Sequence, residues 1–82
     1  MKRITETIVA PTMHAMLTGA VYATVFGKGS PRVVRLTYTD GTTEEAYLTA
    51  GEIAAGKENW MALVGALQDA ARGKGYARTV NE

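Results

Sequence analysis

The chain has 82 residues, a formal net charge of +1, 46% apolar residues and no cysteine. This length accommodates one domain, residues 1–82, and the absence of cysteine excludes disulfide bonds and thiolate metal sites. No apolar run approaches the roughly 20 residues of a membrane span, and the residues after Lys2 and Arg3 are too polar for a signal-peptide core. These properties predict a cytoplasmic protein without membrane contact.

The charges are grouped along the chain. Residues 1–39 carry five basic residues and one carboxylate, residues 40–71 carry one basic residue and six carboxylates, and residues 72–82 carry three basic residues and one carboxylate. Two interpretations follow. A basic strand lies beside an acidic strand and the two neutralise each other, or the folded protein presents a basic and an acidic face to different partners.

The first 26 residues predict two strands separated by an irregular segment. β-branched residues favour an edge strand over 4–10. Apolar residues at helical spacing predict at most one helical turn over 13–17, capped by Thr12, and a strand follows over 20–26. The alternative is one continuous strand over 14–26 with a bulge at its glycine.

The middle of the chain predicts a β-hairpin. Apolar and β-branched residues predict strands over 32–38 and 44–48, joined by an Asp-Gly turn signal. A three-residue loop places Arg35 opposite Glu45, whereas a two-residue loop places Leu36 opposite Glu45. Because opposite charges across two strands stabilise a sheet, we expect the three-residue loop.

The C-terminal part predicts a helix. Residues 49–52 have the spacing of a capping box, and apolar residues recur after them at helical intervals. Gly56 disfavours a helix by about 1 kcal/mol relative to alanine, so we expect a short turn over 50–55 before a main helix over 57–72. Residues 76–82 are predicted to form a loose tail. The elements together predict an α+β fold, a three- to four-stranded antiparallel β-meander covered by one C-terminal helix.

The sequence predicts no reacting centre. His14 is the only histidine and Ser30 the only serine, and neither has a neighbour in the sequence that would activate it. The segment 27–30 lacks the adjacent Lys and Ser/Thr of a phosphate-binding loop. Glu44 and Glu45 point to opposite faces of a strand and cannot act as a facing pair. We therefore predict no enzyme activity, no cofactor and no bound metal.

Surplus apolar residues predict a protein interface. Trp60 and Met61 are neighbours and point about 100° apart on a helix, so one of them is expected to remain exposed, together with Met13 or Met16. Aromatic residues and methionine are enriched in the centres of interfaces. The predicted partner is a protein, and a homodimer through the helix or an edge strand is one form of this interface.

Basic and aromatic residues indicate an alternative function, because sheets bind single strands by stacking bases on aromatic side chains along a basic groove. A strand-rich chain ending in a helix with Trp60 resembles, in the order of its elements, the positive-cofactor-4-like single-stranded-DNA binders. The connection from Leu48 to Trp60 is longer than in that family. This resemblance implies single-stranded nucleic-acid binding. The predicted contacts are Lys28, Arg32, Arg35, Arg72, Lys74 and Arg78.

The leading hypothesis is a non-catalytic protein-binding module. Its predicted carboxylates would bind the lysines and arginines of a nucleic-acid-handling complex in competition with phosphate. In size and general character the chain resembles small phage and mobile-element accessory proteins such as anti-CRISPR inhibitors, which implies an inhibitory role. A small subunit of a larger assembly is a third hypothesis. The predicted partner-binding residues are Asp40, Glu44, Glu45, Glu52, Glu58, Trp60 and Met61.

Overall fold

Four strands and three helices form the described part of the chain. The structure is a computed structural model that describes residues 3–73. Lys74, Arg78 and the predicted tail over 76–82 lie outside the described residues. The elements in chain order are β1 (Ile4–Val9), α1 (Thr12–Thr18), β2 (Ala20–Phe26), β3 (Arg32–Tyr38), β4 (Thr43–Leu48), α2 (Ala50–Glu58) and α3 (Trp60–Ala71).

The four strands form one antiparallel sheet in the order β1-β2-β3-β4, so β1 and β4 are its edges. Helix α3 packs on β4 and β3 and against α2. The predicted α+β meander is confirmed, with four strands and with both α2 and α3 in the C-terminal cover. The core between sheet and helices contains Ala23, Val25, Val34, Leu36, Leu48, Ile53, Trp60, Leu63, Val64 and Leu67.

The β3–β4 hairpin has the predicted register. Arg35 lies opposite Glu45, and the Tyr38 N–H donates to the Thr42 carbonyl over 2.9 Å, which closes the three-residue loop. Within the loop, Asp40 accepts a hydrogen bond from the Thr42 N–H over 3.0 Å. The match of opposite charges between the strands therefore selected the correct loop length.

The segment between β1 and β2 is a helix of seven residues, not a single turn or a continuous strand. It ends at Gly19, whose φ of 74° is accessible to glycine without strain and whose N–H donates to the Ala15 carbonyl over 2.9 Å. The predicted cap at Thr12 is wrong. Pro11 occupies the N-cap position, which places Thr12 inside the first turn, and no side-chain capping bond forms.

The two C-terminal helices meet at Asn59, not at Gly56 as predicted. The capping box is confirmed at the start of α2, where Thr49 and Glu52 exchange hydrogen bonds of 2.8 and 3.2 Å. Gly56 lies within α2, and the Leu63 side chain fills the space that a larger side chain at this position would need. Asn59 then starts α3 by accepting from a backbone N–H with its side chain over 3.4 Å.

The sheet has a second face, pointing away from α2 and α3, which we call the open face. On this face Thr24 and Val33 are buried, and Phe26 and Tyr47 are half-buried. Residues directly opposite one another on neighbouring strands share a face, and three cross-strand rows lie on this one. The rows are Val9–Tyr22–Thr37–Thr43, Thr7–Thr24–Arg35–Glu45 and Ile4–Phe26–Val33–Tyr47. The last of these rows contains only apolar and aromatic residues, and we call it the Phe26 row.

Candidate functional site

Three large apolar side chains on one side of α1 are almost fully exposed. Met13, Met16 and Leu17 have 71%, 82% and 72% of their surface in contact with solvent. Their spacing of i, i+3 and i+4 places them together on one side of a helix. We call these three residues the α1 face. Helix α1 contains no Asp, Glu, Lys or Arg, so this face is apolar and uncharged.

The other side of α1 holds the helix on the protein. Ala15 packs against the core, and the Trp60 indole N–H donates to the Thr18 hydroxyl over 3.5 Å. The Thr18 hydroxyl also donates to the His14 carbonyl over 2.8 Å. On the strands beside the helix, the Ala10 N–H donates to the Val21 carbonyl over 2.9 Å. These contacts leave the α1 face pointing outward on a helix tied at both ends.

Two more apolar side chains are exposed beside α1. Val9 ends β1 just before the helix and lies opposite Tyr22 on β2, with 72% and 40% of their surfaces exposed. Exposure of Met13 or Met16 was expected from the sequence, but that of Leu17, Val9 and Tyr22 was not. A strand end and a short helix give no periodicity that separates a core side from a solvent side. The complete absence of charge in residues 12–18 was the available signal.

The tryptophan of the predicted partner-binding set belongs to the core. Trp60 is 3% exposed and packs among the buried residues, whereas Met61 is 44% exposed. The prediction that one of the two remains exposed is confirmed, and Met61 is that residue. Because its ring is buried, Trp60 does not offer a surface to a partner.

The five predicted carboxylates are divided among several surfaces. Glu45 lies on the open face, whereas its neighbour Glu44 points towards α3. Asp40 and Glu44 line one shallow cleft at the β3–β4 turn, and Glu52 and Glu58 lie on α2, which follows the other end of β4. At about 3.3 Å per residue, that end of β4 is roughly 13 Å from Glu44. Within residues 3–73 the five carboxylates therefore do not form one acidic patch.

The cleft, with a volume of about 490 Å³, contains a hydrogen-bonded cluster of four side chains. The Tyr38 hydroxyl donates to Glu44 and accepts from the Gln68 amide over 2.9 Å. Arg72 donates to both carboxylate oxygens of Glu44, over 3.0 and 3.2 Å. The bond from Tyr38, and then Arg72, lowers the pKa of Glu44 below its usual 4.5. Burial and the bond to Glu44 raise the pKa of Tyr38 above its usual 10.0. The cluster joins β3, β4 and α3.

The predicted nucleic-acid contacts are divided between two ends of the sheet. Lys28 and Arg32 lie at the β2–β3 loop, and Arg35 lies on the open face of β3. Arg72 lies at the opposite end, after α3, in the cluster just described. The predicted neutralisation between neighbouring strands is confirmed for Arg35, whose Nε lies 2.7 Å from Glu45. Arg72 therefore does not extend a groove formed by the other three.

Ser30 and His14, the only serine and the only histidine of the chain, lie in different surroundings. The Ser30 hydroxyl accepts from the Ala50 N–H over 3.0 Å at the start of α2. The Nδ1 of His14 is buried and finds no hydrogen-bond partner among the described residues. Within residues 3–73, no three His, Asp or Glu side chains lie close enough together to hold a metal ion.

Comparison of the chain with protein-family models, with curated proteins and with solved structures found no match. None of the helices in residues 3–73 has the length and apolar character needed to cross a bilayer. The functional proposals below therefore depend on the geometry of the surface.

Proposed function

We propose that the protein is a non-catalytic protein-binding module that inserts the α1 face into an apolar groove of a partner protein. The observation that carries this proposal is the exposure of Met13, Met16 and Leu17 on one side of α1. A domain of this size has few apolar residues to spare from its core. Large apolar residues kept in solvent together are therefore best explained by a partner that covers them.

The spacing of the three residues matches a known mode of recognition. Helices that bind in apolar grooves do so through anchors at i, i+3, i+4 and i+7, and α1 provides the first three. Methionine side chains are flexible and polarisable and adapt to the shape of a groove. Because α1 is held between β1 and β2 before binding, little conformational entropy is lost when the partner binds.

The area of the α1 face favours a groove of another protein as its partner over the α1 face of a second copy of this chain. The α1 face exposes roughly 400 Å², within the range of the largest apolar patches on ordinary monomers. Two copies meeting through it would bury roughly 800 Å², below the roughly 1,200 Å² of stable interfaces. A groove gains more area, because it also covers the flanks of the helix and the exposed side chains of Val9 and Tyr22.

The inhibitory role against a nucleic-acid-handling complex stays a prediction. The inhibitory role requires one continuous acidic surface. Two of the carboxylates predicted for this surface, Glu44 and Glu45, are ion-paired with arginines. The α1 face predicts a different partner chemistry. Because no charged residue lies on α1, the affinity should change little with salt concentration, whereas an acidic surface binding a basic complex would lose affinity steeply.

The test compares capture of native-host proteins by wild type and by a triple variant, Met13→Gln, Met16→Gln and Leu17→Gln. We expect a protein that wild type retains, at low and high salt alike, to be lost from the triple variant. Ile4→Gln is the matched control, since it also removes an exposed apolar side chain, 59% exposed, but at the other end of β1. Retention of the same proteins by the triple variant, or equal loss from the control, would contradict the proposal.

A further inference from the structure

Basic residues gather at the end of the sheet farthest from α1. The Arg3 carbonyl accepts from the Gly27 N–H over 2.9 Å, which places Arg3 beside the β2–β3 loop that carries Lys28. The Arg32 Nε donates to the Gly29 carbonyl of the same loop over 2.7 Å. Arg3 and Lys28 are exposed. Three cations therefore border the end of the Phe26 row.

A fourth cation lies on the open face beside them. The guanidinium carbon of Arg35 is 4.9 Å from the centre of the Phe26 ring, a distance at which the two groups stack. Tyr47 lies in the same row, two strands from Phe26 and hence about 10 Å away. A shallow depression of about 210 Å³ adjoins Tyr47. It is lined by Val33, Glu45, Ala46 and Tyr47.

We propose that this end of the open face binds single-stranded nucleic acid. Bases stack on Tyr47 and on the Arg35 guanidinium that covers Phe26, and Arg3, Lys28 and Arg32 hold the phosphates. Aromatic rings and guanidinium planes are the surfaces on which proteins stack unpaired bases. The depression beside Tyr47 has room for one base.

The balance of charge at this end favours an anion. Two carboxylates of the described residues are already engaged. Glu45 is paired with Arg35, and Glu52 is occupied in the capping box at the start of α2. The Arg35–Glu45 pair is nearly half exposed on both sides. Such a pair contributes little, so Arg35 can loosen its contact with Glu45 and stack on a base at small cost.

The site differs from the basic set expected from the sequence. Arg72 is not part of it, because that residue is committed to Glu44 at the other end of the sheet. Arg3, Phe26 and Tyr47 belong to it instead. A duplex is disfavoured, because its bases are stacked on one another and present no face to Tyr47 or Arg35.

The experiment measures the anisotropy of a fluorescein-labelled oligodeoxythymidylate as protein is added over a range of salt concentrations. We expect binding at low salt, with log Kobs falling against log [salt] with a slope of roughly −0.7 per phosphate contact, or roughly −2.1 for the three contacts of Arg3, Lys28 and Arg32. A labelled duplex of the same length should bind more weakly. No binding at low salt, an affinity independent of salt, or equal affinity for the duplex would overturn the proposal.

Variants separate this site from general attraction by positive charge. Lys28→Gln should weaken binding and make the salt slope shallower by about 0.7. Lys57→Gln removes a positive charge from α2, where Lys57 is paired with Glu6. This variant should leave the affinity and the salt slope unchanged. Equal losses in the two variants would show that no specific site exists. Both residues are exposed, so neither change threatens the fold.

Two further variants test the roles of Tyr47 and Glu45. Tyr47→Ser should weaken binding roughly tenfold through the loss of stacking, and Glu45→Gln should strengthen it by removing a negative charge beside Arg35. An unchanged affinity in the Tyr47→Ser variant would refute the proposed stacking, and an unchanged or weaker affinity in the Glu45→Gln variant would refute the place of Arg35 in the site. The α1 triple variant should bind the oligonucleotide as wild type does. The nucleic-acid proposal and the protein-binding proposal are therefore tested by different variants, and either can fail without the other.

Discussion

Gly56 and Gly65 are both helical glycines, but their surroundings differ. A Cβ atom added at Gly56 would lie 2.6 Å from the Leu63 Cβ, whereas one added at Gly65 would have no heavy atom within 4 Å. Gly56 is buried and marks the close approach of α2 to α3, and Gly65 lies on the exposed side of α3. The same residue type therefore has opposite energetic roles at the two positions.

This contrast makes a prediction for two alanine substitutions. Gly56→Ala should destabilise the protein by roughly 1–3 kcal/mol, because overpacking against Leu63 outweighs the gain of about 1 kcal/mol in helix propensity. Gly65→Ala, the matched control, should stabilise it by about 1 kcal/mol. Urea unfolding measures both. A Gly56→Ala protein at least as stable as wild type would show that α2 and α3 do not approach so closely.

At the scale of elements, Asn59 separates two helices that would otherwise run together. Its backbone N–H donates to the Ala55 carbonyl over 2.9 Å and ends α2, while its side chain accepts from the Ala62 N–H over 3.4 Å and begins α3. One residue therefore both ends α2 and begins α3.

Loss of this cap should weaken α3. Asn59→Ala is expected to cost about 0.5–1 kcal/mol, near the lower end of N-cap effects because the hydrogen bond is long. Asn59→Asp keeps an acceptor oxygen and should stay within about 0.5 kcal/mol of wild type. The urea midpoint distinguishes them, and equal midpoints for the two variants would argue against a capping role.

At the scale of the whole molecule, the sheet separates two candidate surfaces. β1 runs from Ile4, beside the basic residues, to Val9, beside α1. Six residues at about 3.3 Å each place the two ends roughly 17–20 Å apart. We expect a protein partner at α1 and a nucleic-acid strand at the other end to bind without competing for the same residues.

The Glu44 cluster, which joins β3, β4 and α3, makes the stability of the whole domain depend on pH. The pKa of Glu44 is lower in the folded protein than its usual 4.5. The contribution of Glu44 to the free energy of unfolding is therefore complete above its usual pKa of 4.5. This contribution is lost as the pH falls through the lower pKa that Glu44 has in the folded protein. Glu44→Gln should lower stability at neutral pH and flatten the decrease below pH 4.5, measured by urea unfolding at a series of pH values. An unchanged acid slope would contradict the role of Glu44. The pKa of Asp40 is also lowered, through the hydrogen bonds it accepts from Thr42. The stability of the Glu44→Gln variant should therefore still decrease with falling pH, but less steeply than that of wild type.

Local features of the fold were readable from the sequence. The Asp-Gly loop and the match of Arg35 to Glu45 identified the hairpin register, and the spacing of Thr49 and Glu52 identified the start of α2. Each depends on residues that are close in sequence or on one turn that fixes all later pairs. Order along the chain and the alternation of apolar residues also determined the meander.

Only the tertiary structure decided which side chains face solvent. It placed Trp60 in the core and left Val9 and Leu17 outside, and it made Gly56 a contact between helices instead of a break. It also divided the carboxylates among separate surfaces and brought Arg3 and Lys28 to one end of the sheet. The physical reason is that burial and charge pairing depend on residues far apart in the chain, whose meeting is set by how the helices pack on the sheet and not by local propensity.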